Sequence, residues 1–271
     1  MGGWWSLGLG LDAELLPLLA TVLGFALVLP LERWAPRVAR APEPGETWVD
    51  ALWFSSSATV DALAGAGLAG LAVAVAPSAG AGPLGALPLP VAALLALLLW
   101  SLGDYWAHRL AHEVPWLWRF HAVHHAPRRM VATNNPRLHP ADLLLKRTAQ
   151  LLPLLLLGFS GDAMALVGAL AGLQVAFQHG DVDIRHGAWN LVFATNSVHR
   201  WHHSDQPHEA NANYGAVLVL WDQVFGTFRV PPEEEEPERM GLFDGLPYPV
   251  QQPLRALAAP WCWARCTSGS P

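Results

Sequence analysis

Charge is what this chain has least of. Of its 271 residues, 14% are Asp, Glu, Lys or Arg and 52% are hydrophobic, whereas an ordinary soluble domain has about 25% charged residues. The shortage argues against a water-soluble domain. The 16 Lys and Arg are outnumbered by 22 Asp and Glu, with no basic run able to follow a phosphate backbone, which argues against a nucleic-acid partner. Two cysteines, Cys262 and Cys266, are too few for a disulfide framework or a four-cysteine zinc site. They are expected to be incidental thiols. The opening MGGWWSLGLG lacks the positive region of a cleavable signal peptide, so the apolar run behind it is expected to stay as an anchor.

What the chain has instead is long apolar runs. Leu11 to Leu31, Ala51 to Ala76 and Leu87 to about Trp106 each approach the ~20 residues needed to cross a ~30 Å hydrocarbon layer. Leu143 to Phe177 is apolar too, but GFSGD at 158–162 breaks it, which predicts two short helices in a hairpin. Cations are absent before Arg33 and between Arg40 and Arg109. Arg33, Arg37 and Arg40 follow the first span; Arg109, Arg119, Arg128, Arg129, Arg137, Lys146 and Arg147 follow the third. The loop PSAGAGP between spans two and three is uncharged, so the positive-inside rule puts both arginine-bearing segments in the cytoplasm. The hairpin would return the chain to that face. The glycine pattern GAGLAG at 65–70 lies inside the second span with no strand before it and reads as helix packing, not as a dinucleotide loop. PPEEEEPE at 231–238 reads as a solvated acidic boundary.

The expected architecture is all-α: a membrane bundle of three spans plus a hydrophobic hairpin, with a cytoplasmic helical cap. Residues 1–94 would hold the N-terminal spans, 95–230 the histidine-bearing domain and 231–271 an acidic, Pro-rich tail. The Ala-, Leu- and Gly-rich composition suggests a bacterial inner membrane.

Twelve histidines are present, and all but His139 fall at 108–125 or 179–208. HRLAH places His108 and His112 at i and i+4; HAVHH places His121, His124 and His125 at i, i+3 and i+4; HRWHH repeats that spacing with His199, His202 and His203. On a helix each set shares one face. Imidazole is the commonest side-chain ligand of transition metals, and one zinc site needs about three or four ligands, so eight convergent rings suffice for two ions.

These motifs, with GDYWAHRLAHEVPWLWRFHAVHH, RLHP, FQH and NANYGAVLVLWDQVFGTF, resemble the fatty acid hydroxylase and sterol desaturase superfamily of integral-membrane di-iron oxygenases over roughly residues 95–230. The resemblance implies metal ligation by His108, His112, His121, His124, His125, His199, His202 and His203, with His179 as a ninth ligand. Where some members place a tenth histidine this chain has Asp183; Asp183, His139 and Asp104 are the candidates for a tenth ligand or for residues that hold ligand rings. A ligating histidine usually donates its other N–H to an acid or carbonyl. Asp104, Glu113, Asp183 and Asp205 are the acids near the motifs, and Asp104, one turn before His108, is the first choice. Asn211, Asn213 and Tyr214 read as turn residues, Trp116 and Trp118 as interfacial anchors, and Trp201 as an anchor or part of the substrate entrance. His186 and His208 have no motif support.

The resemblance further implies two iron ions, O2 as co-substrate, and hydroxylation or desaturation of a lipid such as an acyl, sterol, alkyl-ether or carotenoid chain. Electrons would come from a separate cytochrome b5-like protein, ferredoxin or reductase. Two other classes stay open. A membrane metal transporter would carry ligands within its spans, yet those up to Leu102 hold no histidine. A zinc hydrolase would need a glutamate base as in H-E-x-x-H, for which only Glu113, after His112, is at hand.

Overall fold

A computed structural model describes residues 15–38, 44–75, 83–230 and 235–268. Seven helices position the site: α1 (Leu16–Trp34), α2 (Glu46–Val75), α3 (Leu89–Glu113), α4 (Pro115–His125), α5 (Pro140–Leu156), α6 (Gly161–His179) and α7 (Asn196–His202). Among the described residues the only β-type pairings are two isolated bridges, Phe193 with Leu218 and Ser204 with Met240. The all-helical expectation holds. Leu11, Arg40, most of PSAGAGP and residues 231–234 lie outside the described residues.

Helices α1, α3 and α6, and α2 as far as Ala74, are long and apolar enough to cross a membrane. Their outer faces are bare hydrocarbon: Leu18 is 60% exposed, Leu63 69% and Leu94 57%. Apolar surface on this scale is unfavourable in water and neutral in lipid. The expected hairpin is present as α5 and α6, but α5, with 17 residues, is not among the long apolar helices. Gly158 turns it with φ +72, a conformation that costs glycine little, and Ser160 caps α6 by accepting from Ala163 N.

Helix α6 lies along α1, and α5 fills the space between α2 and α3. A Cβ on Gly172 would come 2.4 Å from Thr21 Oγ1, and one on Gly103 2.0 Å from Ala149 O. These two glycines let the helix pairs approach at backbone distance. GAGLAG does not do this. Gly65, Gly67 and Gly70 have nothing within 4 Å of an added Cβ, so none of them makes a close helix contact.

At one end of the bundle α1, α3 and α6 finish and α2 begins. Glu32, near the end of α1, accepts from Ala132 N and Asp181 N, while Glu46 and Asp50, at the start of α2, pair with Arg129 and Arg137. The loops between motifs are thereby tied to the helix ends. Residues 235–268 fold back over this end instead of forming a solvated tail. Glu236 pairs with Arg37 and Arg200, and Leu242, Ala256 and Ala259 are buried, because the apolar residues after the acidic run cover an otherwise open cap. Cys262 and Cys266 are joined in a disulfide, not left as two thiols; one helical turn brings them together.

Candidate metal centre

Pro115 sets the geometry of the first two motifs. The residue before a proline is pushed out of helical conformation, and Val114 is extended (φ −98, ψ 111), ending α3, while Pro115 starts α4. The chain folds back there. His108 and His112 on α3 then face His121 and His125 on α4 in matching i, i+4 register, with Nε2 to Nε2 distances of 3.0 and 3.1 Å. Thr195 caps α7 by accepting from Val198 N, which aims His199, His202 and His203 at the same end of the bundle.

Nine buried histidines gather in two groups. His108, His112, His121, His125 and His202 form one, and His124, His179, His199 and His203 the other; within each, one ring nitrogen per residue lies within 4.8 Å of the others. His108 Nε2 is 3.0 Å from both His121 and His202 Nε2, and His199 Nε2 is 3.1 Å from both His179 and His203 Nε2. All nine sequence-predicted rings are therefore brought together.

The outer nitrogens decide what the inner ones carry. His108 Nδ1 lies 2.6 Å from Tyr214 O, His202 Nδ1 2.8 Å from Ala212 O, and His121 Nδ1 3.0 Å from Asp142 Oδ2. Carbonyls and carboxylates only accept, so these rings donate outward from Nδ1. His112 Nδ1 meets Asn211 Oδ1 at 3.2 Å, and His179 Nδ1 meets Asn134 Oδ1 at 3.0 Å; the Asn134 amide nitrogen is committed to Arg129 O. The Nε2 atoms of His108, His121 and His202 consequently present lone pairs to one another about 3 Å apart. Lone pairs at that distance repel, and a shared cation removes the repulsion. The donor set fits metal ions.

Burial keeps these rings neutral. It drives His124, His125, His199 and His203 well below the ordinary imidazole range, with neighbouring rings adding to the effect, and lowers His202 to about 3. His121 is also lowered by burial, partly offset by Asp142. Burial, the largest single influence, works to raise Asp142, but His121, Lys146 and His139 together outweigh it and hold the carboxyl below its usual range.

The acids singled out in the sequence are elsewhere. Asp104 does not reach His108: it accepts from Gln150 Nε2 at 2.7 Å and Ala216 N at 3.1 Å, since its side chain faces α5 and the turn at 215–216. Glu113 is exposed and pairs with Arg109; Asp205 pairs with Arg239. Asp183 is exposed on the loop after α6, outside both groups. His139 caps α5, accepting from Ala141 N at Nδ1 and donating to Leu257 O from Nε2, so both its nitrogens are occupied by backbone. His208 is exposed, and His186 contacts Asn196.

Several functional positions were missed. Asp142 had no local signal, being 21 residues from His121. NANYG is more than a turn: Asn211 meets His112, the carbonyls of Ala212 and Tyr214 receive two rings, and Asn213, at φ 57, ties the segment to Thr227 and Arg229. Trp118 is buried against His112 and His125, at ring distances of 5.1 and 5.3 Å, and is no membrane-surface anchor. Trp116 is 59% exposed, and Trp201 is half-buried.

Residues 93–227, which contain both groups, match the family model for fatty acid hydroxylase. This segment is a fatty acid hydroxylase domain. The domain aligns with an ornithine lipid hydroxylase OlsE of Rhizobium tropici at 43% identity, covering 54% of this chain and 44% of that protein. An alkylglycerol monooxygenase of Danio rerio is 27% identical over 63% of this chain and 37% of its own length. A Delta(7)-sterol-C5(6)-desaturase of Nicotiana tabacum is 29% identical over 56% of this chain and 55% of its own. The chain thus spans less than half of the first two relatives. No solved structure matches.

Proposed function

We propose that this protein is a membrane di-iron oxygenase that uses O2 to hydroxylate the hydrocarbon part of a lipid. The observation that carries the reading is the pair of buried imidazole groups whose Nε2 atoms face one another at 3.0–3.1 Å. His108, His112, His121, His125 and His202 would hold one iron, and His124, His179, His199 and His203 the other. Two irons bound there supply the electrons that activate O2 for cleavage of an unactivated C–H bond.

The chain's own part is positional. Asp142, Asn211, Asn134 and the carbonyls of Ala212 and Tyr214 fix the ring tautomers and aim Nε2 inward, the usual second half of a histidine metal site. Burial of all nine rings excludes water from the reacting centre. Relatives named for hydroxylation and monooxygenation, one at 43% identity, favour hydroxylation over the desaturation named in the tobacco relative. In this reading residues 95–230 are the catalytic unit, the spans before them place it at the bilayer, and electrons arrive from a separate protein.

Arg33 in the last turn of α1, Arg37 just beyond it and the arginines after α3 support a cytoplasmic site. The Cys262–Cys266 disulfide points the other way, since disulfides belong to oxidising compartments. Labelling a cysteine placed at the exposed His208 in intact and opened cells decides between the two. The function is tested by metal content and Mössbauer spectra of anaerobically purified protein: about two coupled irons per chain, the complement of a di-metal carrier, with lipid-dependent O2 uptake are expected. One zinc or none would return the hydrolase and transporter readings.

A further inference from the structure

The segment from Tyr214 to Thr227 follows α3 away from the histidines and back. At its start Tyr214 O receives His108 Nδ1 at 2.6 Å, and Ala216 N then donates to Asp104 Oδ2 at 3.1 Å, one turn earlier on α3. Val217 and Leu218 are buried in the cluster that holds Ala92, Ala96 and Trp100. The short helix Leu220–Phe225 leads back. Trp221 Nε1 donates to Leu98 O at 3.2 Å, Phe225 packs on Tyr105 and Trp106 at centroid distances of 5.2 and 5.0 Å, and Thr227 Oγ1 meets the Tyr105 hydroxyl at 3.1 Å. Leu98 stands ten residues before His108, about 15 Å along the helix at 1.5 Å per residue. That is well inside a helix long and apolar enough to cross a membrane.

Irregular backbone is tolerated at membrane depth only where its polar groups find partners in the protein, and this segment's do. Asp222 accepts from Tyr214 N and Gly215 N at 2.8 and 2.9 Å, Gln223 Nε2 donates to Leu191 O at 2.7 Å, and Gln174 Nε2, from α6, donates to Ala194 O. Residues 192–194 pair with the same segment, Ala194 N donating to Val217 O and Val219 N to Val192 O. Asp222 is the one charged residue in 187–194 and 215–226, and it is fully buried. Charge returns on either side at Arg185 and Arg229, both exposed. The outer face is apolar: Leu191 is 50% exposed, Val192 45%, Leu220 38% and Val224 58%. Phe225 and Trp106, in contact and both partly exposed, join this face to the outside of α3.

We propose that residues 191–194 and 215–226 form a re-entrant element, which dips into the hydrocarbon layer beside α3 and meets lipid tails with Leu191, Val192, Leu220 and Val224. It is a membrane contact additional to the spanning helices. Asp104, adjacent in sequence to the first histidine motif, serves here to hold the turn by which the chain enters the membrane. The chain makes that turn directly after Tyr214, whose carbonyl orients His108. This placement requires α3 to span the bilayer and holds whatever ion the histidines bind.

The test uses the full chain in phosphatidylcholine nanodiscs, with the Cys262–Cys266 disulfide left intact so that a nitroxide label has one target. Labels are placed singly through Leu220→Cys and Val224→Cys, with Leu94→Cys and His208→Cys as references. Power-saturation EPR compares collisions with O2, which concentrates in hydrocarbon, and with a nickel chelate, which stays in water. The logarithm of the O2-to-nickel accessibility ratio is expected to be positive at Leu220 and Val224, as at Leu94 on the outer face of α3, and negative at the exposed His208. Helical circular dichroism and elution volume matching the unlabelled chain show that each variant is folded. Negative values at both test positions would place the segment in water, and low accessibility to both reagents would place it under protein; either overturns the proposal. Positive values in a chain that holds no iron would sink the oxygenase reading and leave the re-entrant element standing. Negative values in a chain with two coupled irons would do the reverse.

Discussion

In the five-histidine group, four rings pass Nδ1 outward to fixed acceptors: Tyr214 O, Asn211 Oδ1, Asp142 Oδ2 and Ala212 O. In the four-histidine group, His179 meets Asn134, while Nδ1 of His124 and of His199 is buried with no hydrogen-bond partner. The first group also has an aromatic cover, Phe243 stacked on Trp118 at 4.4 Å and 3°, with Trp118 against His112 and His125. The same residue type thus builds two differently restrained sites. One has more rings, a carboxylate and a lid; the other has fewer rings and fewer outer partners. Tight restraint suits retention of an ion, and looser restraint suits a site that must admit O2 and substrate.

The largest effects should come from the ring at the centre of each group. His108→Ala and His199→Ala should each cut turnover by more than the ~100-fold that loss of an outer partner costs, with metal content falling by about half on the two-ion count. Equal loss of both ions in both variants would show that the groups act as one site. Asp142→Asn keeps the shape and removes the charge, so metal affinity should fall by about 10–100-fold in the five-histidine group alone. Cobalt titration followed by ligand-field absorption reads this, and a matching change in the other group's bands would refute the assignment. Asn134→Ala removes a neutral partner of His179 and should cost about tenfold, the low end of that range, in the four-histidine group; the same titration checks it. Smallest is Phe243→Ala. This ring is half-buried, so we expect about 1–2 kcal/mol, below the 3–5 of a fully buried phenylalanine, together with faster chelator stripping of the five-histidine ion. Thermal unfolding and stripping rates measure the two, and stripping that quickens in the other group would misplace the lid.

Helical periodicity made much of this legible. Spacings of three and four residues put His121, His124 and His125 on one face, and the GFSGD break announced the hairpin that returns His179 to the side of His125. The same reasoning failed at Asp104, because sequence proximity to His108 says nothing about which way a side chain turns once α5 packs alongside. It failed at Asp142 and Asn134 because their partners, His121 and His179, sit on other elements. The carbonyls of Ala212 and Tyr214 had no signal at all, since every residue has one.

The sequence by itself determined the all-helical membrane character, the nine histidines and their helical faces, because those follow from local composition and the 3.6-residue repeat. Only the tertiary structure decided how the rings divide into five and four, which acceptors orient them, and that residues 235–268 close over the site. Those depend on the register and rotation of helices against one another, set by close contacts such as Gly103 on Ala149 and Gly172 on Thr21, and packing of that kind is a property of pairs far apart in the chain.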